Sequence, residues 1–441
     1  MATDPISILL FTNTTVRYGV EEHILQLLHN LDRRFFRLHL ACPAELGELL
    51  KADLPADVEF SPVEIEGITD YAGARGLFRI LREQHIQILH SHMFQSSMFA
   101  SPIAWLAGVP VVLETAHVRE VWRKGIKANY VVDRLAGRFV NRYISVSHAV
   151  ARYLVEMKGL PERKIQVIHN GVDLKKFEPS VSAPTGMKKA LGIAESDPVL
   201  LVVGRLEPQK GHHVLLEAMP KIVRAVPDAK LICLGDGALR GKLTEMTERL
   251  SLQNAVRFVG FQSNVRDWLA MADISVLPSF YEGLPLSAIE SLAAARPMVA
   301  TAVDGTPEVV IHEKTGLTVA PGDSSAMAEA ICRLLRDPVW AKQLAQAGRE
   351  YVISEFSLEG FAQKTQEFYL ESLRMALPRV HAGVEQQEAQ TQPDEAEAGE
   401  TDEVSDRGAL SGTSRGIGFG PGRMRRVASS AARSGETGNP N

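Results

Sequence analysis

Short apolar runs alternate with stretches of helical periodicity along this chain, stop at a proline- and glycine-containing break, and then begin again. Strands are expected at Ile6–Thr12, Arg37–Cys42, Ile86–Leu89, Val109–Leu113, Tyr143–Val146 and Ile165–Ile168. Between them lie helix-like segments such as Val20–Leu31, whose Ile24, Leu27, Leu28 and Leu31 share one face. The others are Ala72–Gln84, Gln95–Ala107 and Ala149–Lys158. An order of strand, helix, strand that keeps repeating is satisfied by a mostly parallel sheet with helices on both faces.

The alternation restarts after EPSVSAPTG, with strands expected at Val199–Val203, Lys230–Leu234, Val256–Val259, Ile274–Leu277, Pro297–Ala300 and Gly316–Val319. The chain therefore reads as an α/β protein: a first Rossmann-like domain over 1–178, a linker over 179–196, and a second Rossmann-like domain over 197–355. A final helix over 356–378 is expected to pack back on the first domain. Two such doubly wound domains face each other across a cleft, where ligands of open α/β sheets bind outside the strand ends.

Composition narrows the function classes. Residues 385–406 hold nine acids and no Lys or Arg, and a Gly/Ser/Arg-rich end follows. Such a stretch cannot bury enough surface to offset its ordering entropy, so 379–441 is expected to be a disordered tail. From His381 onward ten acids meet six Lys/Arg, a net of −4 out of −5 for the chain, so the folded body is nearly neutral. No nucleic-acid partner is expected. Cys42, Cys233 and Cys332 form no paired framework, and the opening MATDPISILLFTNTT lacks the basic start of a secretory leader. A cytoplasmic location follows, peripheral to the inner face of the plasma membrane if a basic stretch there touches lipid.

Two polar clusters stand out. In VVGRLEPQKGHH, Arg205 and Lys210 flank a turn that Gly211 closes into the next helix. Cations beside the N–H groups of a helix start suit a diphosphate, although a solvated loop with two surface cations fits the residues equally well. In SFYEGLPLSAIE, Glu282 and Glu290 stand eight positions apart, with a helix expected from about Leu284. Glu290 would lie along that helix. Glu282 would sit at its entrance beside the N–H groups of Gly283, Leu284 and Leu286, either facing a polar ligand or simply capping the helix.

These motifs resemble retaining glycosyltransferases of family 4, the group 1 glycosyl transferases with the GT-B fold. The Glu-x7-Glu segment is joined by NGVD at Asn170–Asp173, GRLEPQKG at Gly204–Gly211, LGDG at Leu234–Gly237, VRFVGF at Val256–Phe261, then DGTPEVV and KTGLTV, all in one order between Ile6 and Leu377. The resemblance implies a nucleotide-diphosphate-sugar donor, with Arg205 and Lys210 on the diphosphate, Glu290 on the ribose and Glu282 on the sugar hydroxyls. His117 would lie by the outer hydroxyls of the sugar, and Gly19 and Gly260 would bring backbone near the donor. It also implies a hexosyl transfer to a glycan or lipid-linked acceptor, as in envelope, exopolysaccharide or lipopolysaccharide synthesis.

One departure is Tyr18-Gly19-Val20-Glu21, where the family has Gly-Gly-x-Glu; Tyr18 is expected to narrow the loop and alter acceptor entry. His90 and His92 are expected to shape the acceptor side, without companions at metal-ligand spacing, so no metal cofactor is expected. The stretch 119–142 has seven Lys/Arg against two acids among apolar residues, and reads either as a contact with anionic lipid or as a solvated helix flank. A nucleotide-sugar epimerase of the same fold and a non-catalytic nucleotide-sugar-binding protein are the competing functions.

Overall fold

The computed structural model describes residues 4–67, 69–121, 130–179 and 183–377. The tail expected over 379–441, the centre of the 119–142 stretch and part of the linker lie outside the described residues.

The first sheet is built from β1 (Ile6–Phe11), β2 (Phe36–Cys42), β3 (Glu59–Pro62), β4 (Ile88–His92), β5 (Val111–Ala116), β6 (Arg142–Ser145) and β7 (Ile165–Val167). Its seven strands run parallel in the order β3-β2-β1-β4-β5-β6-β7. The helices of this half are α1 (Gly19–Asn30), α2 (Ala44–Leu50), α3 (Tyr71–Glu83), α4 (Phe94–Ala107), α5 (Val131–Ala136) and α6 (His148–Glu156). All six residues of β5 are buried, as a strand covered on both faces requires. β3 and α2 are absent from the sequence expectation because β3 is a short edge strand, largely exposed and ending on a proline, without an apolar run.

After the one-turn α7 (Met187–Ala190) comes a second parallel sheet of β8 (Val199–Val203), β9 (Lys230–Leu234), β10 (Val256–Gly260), β11 (Ile274–Leu277), β12 (Met298–Thr301) and β13 (Leu317–Val319). Its order is β10-β9-β8-β11-β12-β13. Helices α8 (His212–Ala225), α9 (Arg240–Arg249), α10 (Val265–Met271), α11 (Leu286–Ala293), α12 (Ser324–Arg336) and α13 (Pro338–Glu355) accompany it. The last helix, α14 (Leu358–Ala376), buries Phe361, Phe368, Tyr369 and Leu373 in the cluster that holds Ile8, Leu10, Ile24 and Leu38 of the first half. Four such side chains contribute roughly 1.5–3 kcal/mol each.

The strand order reverses between β1 and β4 in the first sheet and between β8 and β11 in the second. A doubly wound sheet opens a crevice outside the strand ends at such a reversal, because the flanking connections leave in opposite directions. Gly204 and Arg205 leave the end of β8, Pro278–Glu282 leave β11, His92 ends β4, and α1 follows β1. Arg205, Lys210 and Glu282 thus stand at the second reversal and Gly19 at the first, whereas His117 follows β5 and Gly260 ends the edge strand β10.

Candidate active site

Gly204 donates its N–H to the Leu234 carbonyl at 2.9 Å, which ends β8 and turns Arg205 outward. Gly211 has φ +63°, and a Cβ there would stand 2.0 Å from the Pro278 carbonyl oxygen, so the turn into α8 requires glycine. No side chain caps the start of α8. That leaves a helix entrance flanked by two cations.

Lys210 Nζ lies 2.6 Å from Glu282 Oε1 in a largely buried pair. The Ser279 hydroxyl donates to the same carboxylate oxygen at 2.6 Å. The Glu282 N–H donates to Asp304 Oδ2 at 3.0 Å, and Arg119 Nε lies 2.5 Å from Asp304 Oδ1. Glu282 does not cap a helix: α11 begins at Leu286 with Pro285 before it, two residues later than expected, and no side chain caps it. Burial pushes the Asp304 carboxyl up, while the Arg119 charge pulls it down.

Arg205 donates from Nη2 to Gln209 Oε1 at 3.3 Å, and its guanidinium carbon stands 4.6 Å from the centre of the Tyr18 ring. The bulk that the sequence reading assigns to acceptor entry is therefore turned toward Arg205, a contact that orients the guanidinium plane. Tyr18 also donates its N–H to Glu21 Oε2 at 2.8 Å, which starts α1 with Gly19 as its first residue.

Glu290 lies on α11, partly buried, and dense surroundings raise its carboxyl to about 7. Lys176 opposes that shift and Glu22 adds to it. Gly260 ends β10 with φ +74°. Leu284 is a core side chain, and Leu286 approaches Gly19, so each reaches a ligand only through its backbone. A Cβ on Gly283 would lie 1.6 Å from the His117 carbonyl oxygen, so the two halves of the molecule meet backbone to backbone here.

His117 follows β5, and its Nε2 lies 3.2 Å from His92 Nδ1. His23, on α1, packs edge-on against His117 at 4.7 Å between ring centres and bonds through Nδ1 to Asn170 Oδ1 at 2.9 Å. His90 is spent on Tyr369 and Thr115, both at 2.6 Å, which places it in the packing of α14 rather than at the acceptor surface. Burial lowers all four imidazoles, His23 to about 4 and His90 to about 3, so they are neutral at pH 7.

The fold supplies the companions that His92 lacks in the sequence: one nitrogen from each of His23, His92 and His117 falls within 4.8 Å of the others. A borderline metal ion suits such neutral imidazoles. His92 Nδ1 meets His117 Nε2 and His23 Nδ1 meets Asn170, while His92 Nε2 is buried without a hydrogen-bond partner among the described residues. A second group, His148, His169 and Glu308, uses its carboxylate on the N–H groups of His148 and Ala149, both at 2.9 Å. His23 carries no site signal in the sequence, and Asn170, Asp304 and Arg119 stand there within NGVD, DGTPEVV and the basic 119–142 stretch without a role at the site. Their partners come from distant segments, and no spacing links them.

The Glycosyl transferases group 1 family matches residues 185–351, and Glycosyltransferase Family 4 matches residues 18–176. Glycogen synthase of Mycobacterium tuberculosis is 31% identical over 296 residues, covering 65% of this chain and 69% of that protein. UDP-Gal:alpha-D-GlcNAc-diphosphoundecaprenol alpha-1,3-galactosyltransferase of Escherichia coli is 27% identical over 364 residues, covering 80% and 94%. Among solved structures, Anabaena Alr3699/HepE in complex with UDP superposes with a TM-score of 0.72 at 20% identity, covering 83% of this chain and 100% of that one. WaaG, a glycosyltransferase involved in lipopolysaccharide biosynthesis, gives 0.65 at 16%, covering 82% and 99%. Two doubly wound halves, a cation-flanked helix entrance and the Glu282–Glu290 pair thus sit in a chain that belongs to the group 1, family 4 glycosyltransferases of GT-B fold.

Proposed function

We propose that this glycosyltransferase moves a hexosyl group from a nucleotide-diphosphate-sugar to a lipid-linked or glycan acceptor, with retention of anomeric configuration. The observation that carries this reading is the Lys210–Glu282 ion pair at 2.6 Å beside the apposed backbones of Gly283 and His117. A diphosphate reaching the entrance of α8 competes with Glu282 for Lys210 and frees the Glu282 carboxylate for the sugar hydroxyls. Arg205, steadied by Tyr18, takes the second share of the growing negative charge. The bond from the anomeric carbon to the phosphate oxygen breaks, and its electron pair leaves with the nucleoside diphosphate. The acceptor oxygen bonds to the anomeric carbon on the same face, and its proton passes to the departing phosphate oxygen. Glu290, once ionised, accepts hydrogen bonds from the ribose, and His117 meets the outer hydroxyls of the sugar.

The lipid-linked option is favoured by relatives whose names state such acceptors, among them the Escherichia coli galactosyltransferase and a GDP-mannose-dependent phosphatidylinositol monomannoside mannosyltransferase of Corynebacterium glutamicum. The test is incubation with UDP-, GDP- and ADP-hexoses with and without a diphosphoprenyl-sugar or oligosaccharide acceptor. Release of nucleoside diphosphate with an α-linked product from an α-linked donor supports the proposal. Release of a free 2-epimer assigns an epimerase, and binding without turnover assigns a non-catalytic protein.

A further inference from the structure

We propose that the flank formed by α3, α4 and α5 is a docking face for an anionic lipid bilayer. This extends the lipid-linked reading of the acceptor, and its test does not depend on turnover. Tyr71, Arg75, Phe78 and Arg82 recur on α3 at intervals of four, three and four, within about 60° of arc at 100° per residue. Tyr71 is 81% exposed and Phe78 39%, whereas Leu77 and Leu81, turned roughly 110° around the helix, are buried. The outward face of this helix is therefore aromatic and cationic at once. Its thirteen residues carry Arg75, Arg79 and Arg82 against a single acid, Glu83.

The neighbouring helix continues the surface. Arg82 donates from Nη1 to the Ala107 carbonyl at 3.3 Å, which ties α3 to the end of α4. There Trp105 and Leu106 are 63% and 68% exposed, on a helix of fourteen residues that contains no charged side chain. Trp105 in turn meets the Phe139 ring, 5.6 Å away, just beyond α5. In α5 the one acid, Asp133, is turned inward, where its carboxylate lies 2.7 Å from Lys158 Nζ. Val131, Val132 and Leu135 are left outside with the exposed Arg134 and Arg138.

Large apolar side chains interspersed with cations of one sign match a bilayer interface, where acyl boundary and anionic headgroups lie side by side. An indole at its edge serves both zones. The sequence reading places lipid contact in 119–142, of which 122–129 lie outside the described residues, and α3 extends that surface. Arg119 pairs with Asp304 and Arg142 with Glu371, while the additional cations come from α3.

The experiment is flotation of the full chain with vesicles of phosphatidylcholine alone or with added phosphatidylglycerol, at low and high salt. Binding to the anionic vesicles that weakens with salt is expected. Arg75→Glu with Arg79→Glu should lower the partition by at least ten-fold, since each cation near such a surface is worth roughly five-fold. Phe78→Ser with Trp105→Ser should lower it as well, whereas Lys242→Glu on α9 should leave it unchanged. An unchanged circular-dichroism spectrum and melting transition show that each variant is folded. Equal partition of all variants, or equal binding to phosphatidylcholine alone, overturns the proposal. So does self-association by light scattering that the same variants abolish without any lipid binding, which assigns the face to a second copy of the chain.

Discussion

Lys210 and Glu282, 72 residues apart, form one ion pair with Nζ 2.6 Å from Oε1, and both belong to the proposed donor site. The cation meant for the leaving group is thus held, before donor arrives, by the carboxylate meant for the sugar. Neither charge is left unpaired in the low-dielectric cleft, and neither needs to move far to change partner.

That pairing separates two effects of mutation. Lys210→Ala should lower kcat/KM by ~10²-fold, the loss expected for one donor to a developing anion. It should also destabilise the fold by about 3 kcal/mol or more, because Glu282 is stranded. Adding Glu282→Gln should restore the melting temperature and leave turnover low. Full recovery of kcat/KM in the double variant, measured beside circular dichroism, would remove the leaving-group role.

Tyr18 gives a smaller, directional test. Tyr18→Ala removes a cation–π contact worth roughly 0.5–1 kcal/mol and should raise donor KM a few-fold through a mobile Arg205, with acceptor KM unchanged. Arg205→Lys should behave alike, since an ammonium lacks the planar fork. A selective rise in acceptor KM would instead return Tyr18 to the acceptor entrance.

Glu290 predicts a pH dependence. Its folded value near 7 lies above the ordinary 4.5, so the folded state holds the extra proton and loses stability as pH rises from about 4.5 to 7. Hydrogen bonds from a bound ribose favour the ionised form and offset this loss. The thermal shift given by a nucleoside diphosphate should therefore grow from pH 6 to pH 8, and Glu290→Gln should flatten the profile. A flat wild-type profile would show that the carboxylate does not meet the ribose.

Metal removal is the fourth test. On the proposed function Arg205 and Lys210 supply the charge at the diphosphate, so chelation with EDTA should leave turnover unchanged in a discontinuous nucleotide-release assay. If activity falls and one divalent ion restores it, the place to look is the His23, His92 and His117 group.

The fold was legible because the apolar strands are continuous and the breaks carry proline and glycine. The strands at Val199–Val203, Lys230–Leu234 and Ile274–Leu277 are read from sequence to the residue. β3 escaped because an exposed edge has no reason to be apolar, and α13, which the sequence reading does not include, starts at Asp337, whose side chain accepts from the Trp340 N–H. At the site, side chains within one motif could be read together. Contacts such as Arg119 with Asp304, or His23 with Asn170, join distant segments, and only folding reveals them.

The chain passes between the two halves twice, and the passages lie side by side: Val172 pairs with Ser357 and donates its N–H to the Phe356 carbonyl at 2.9 Å. Gly171 leaves no room there, since a Cβ would stand 2.7 Å from the backbone of Leu358. Two adjacent crossings bound together act as the pin of a door. An opening of the halves is therefore expected to turn about this paired crossing and to part Gly283 from His117.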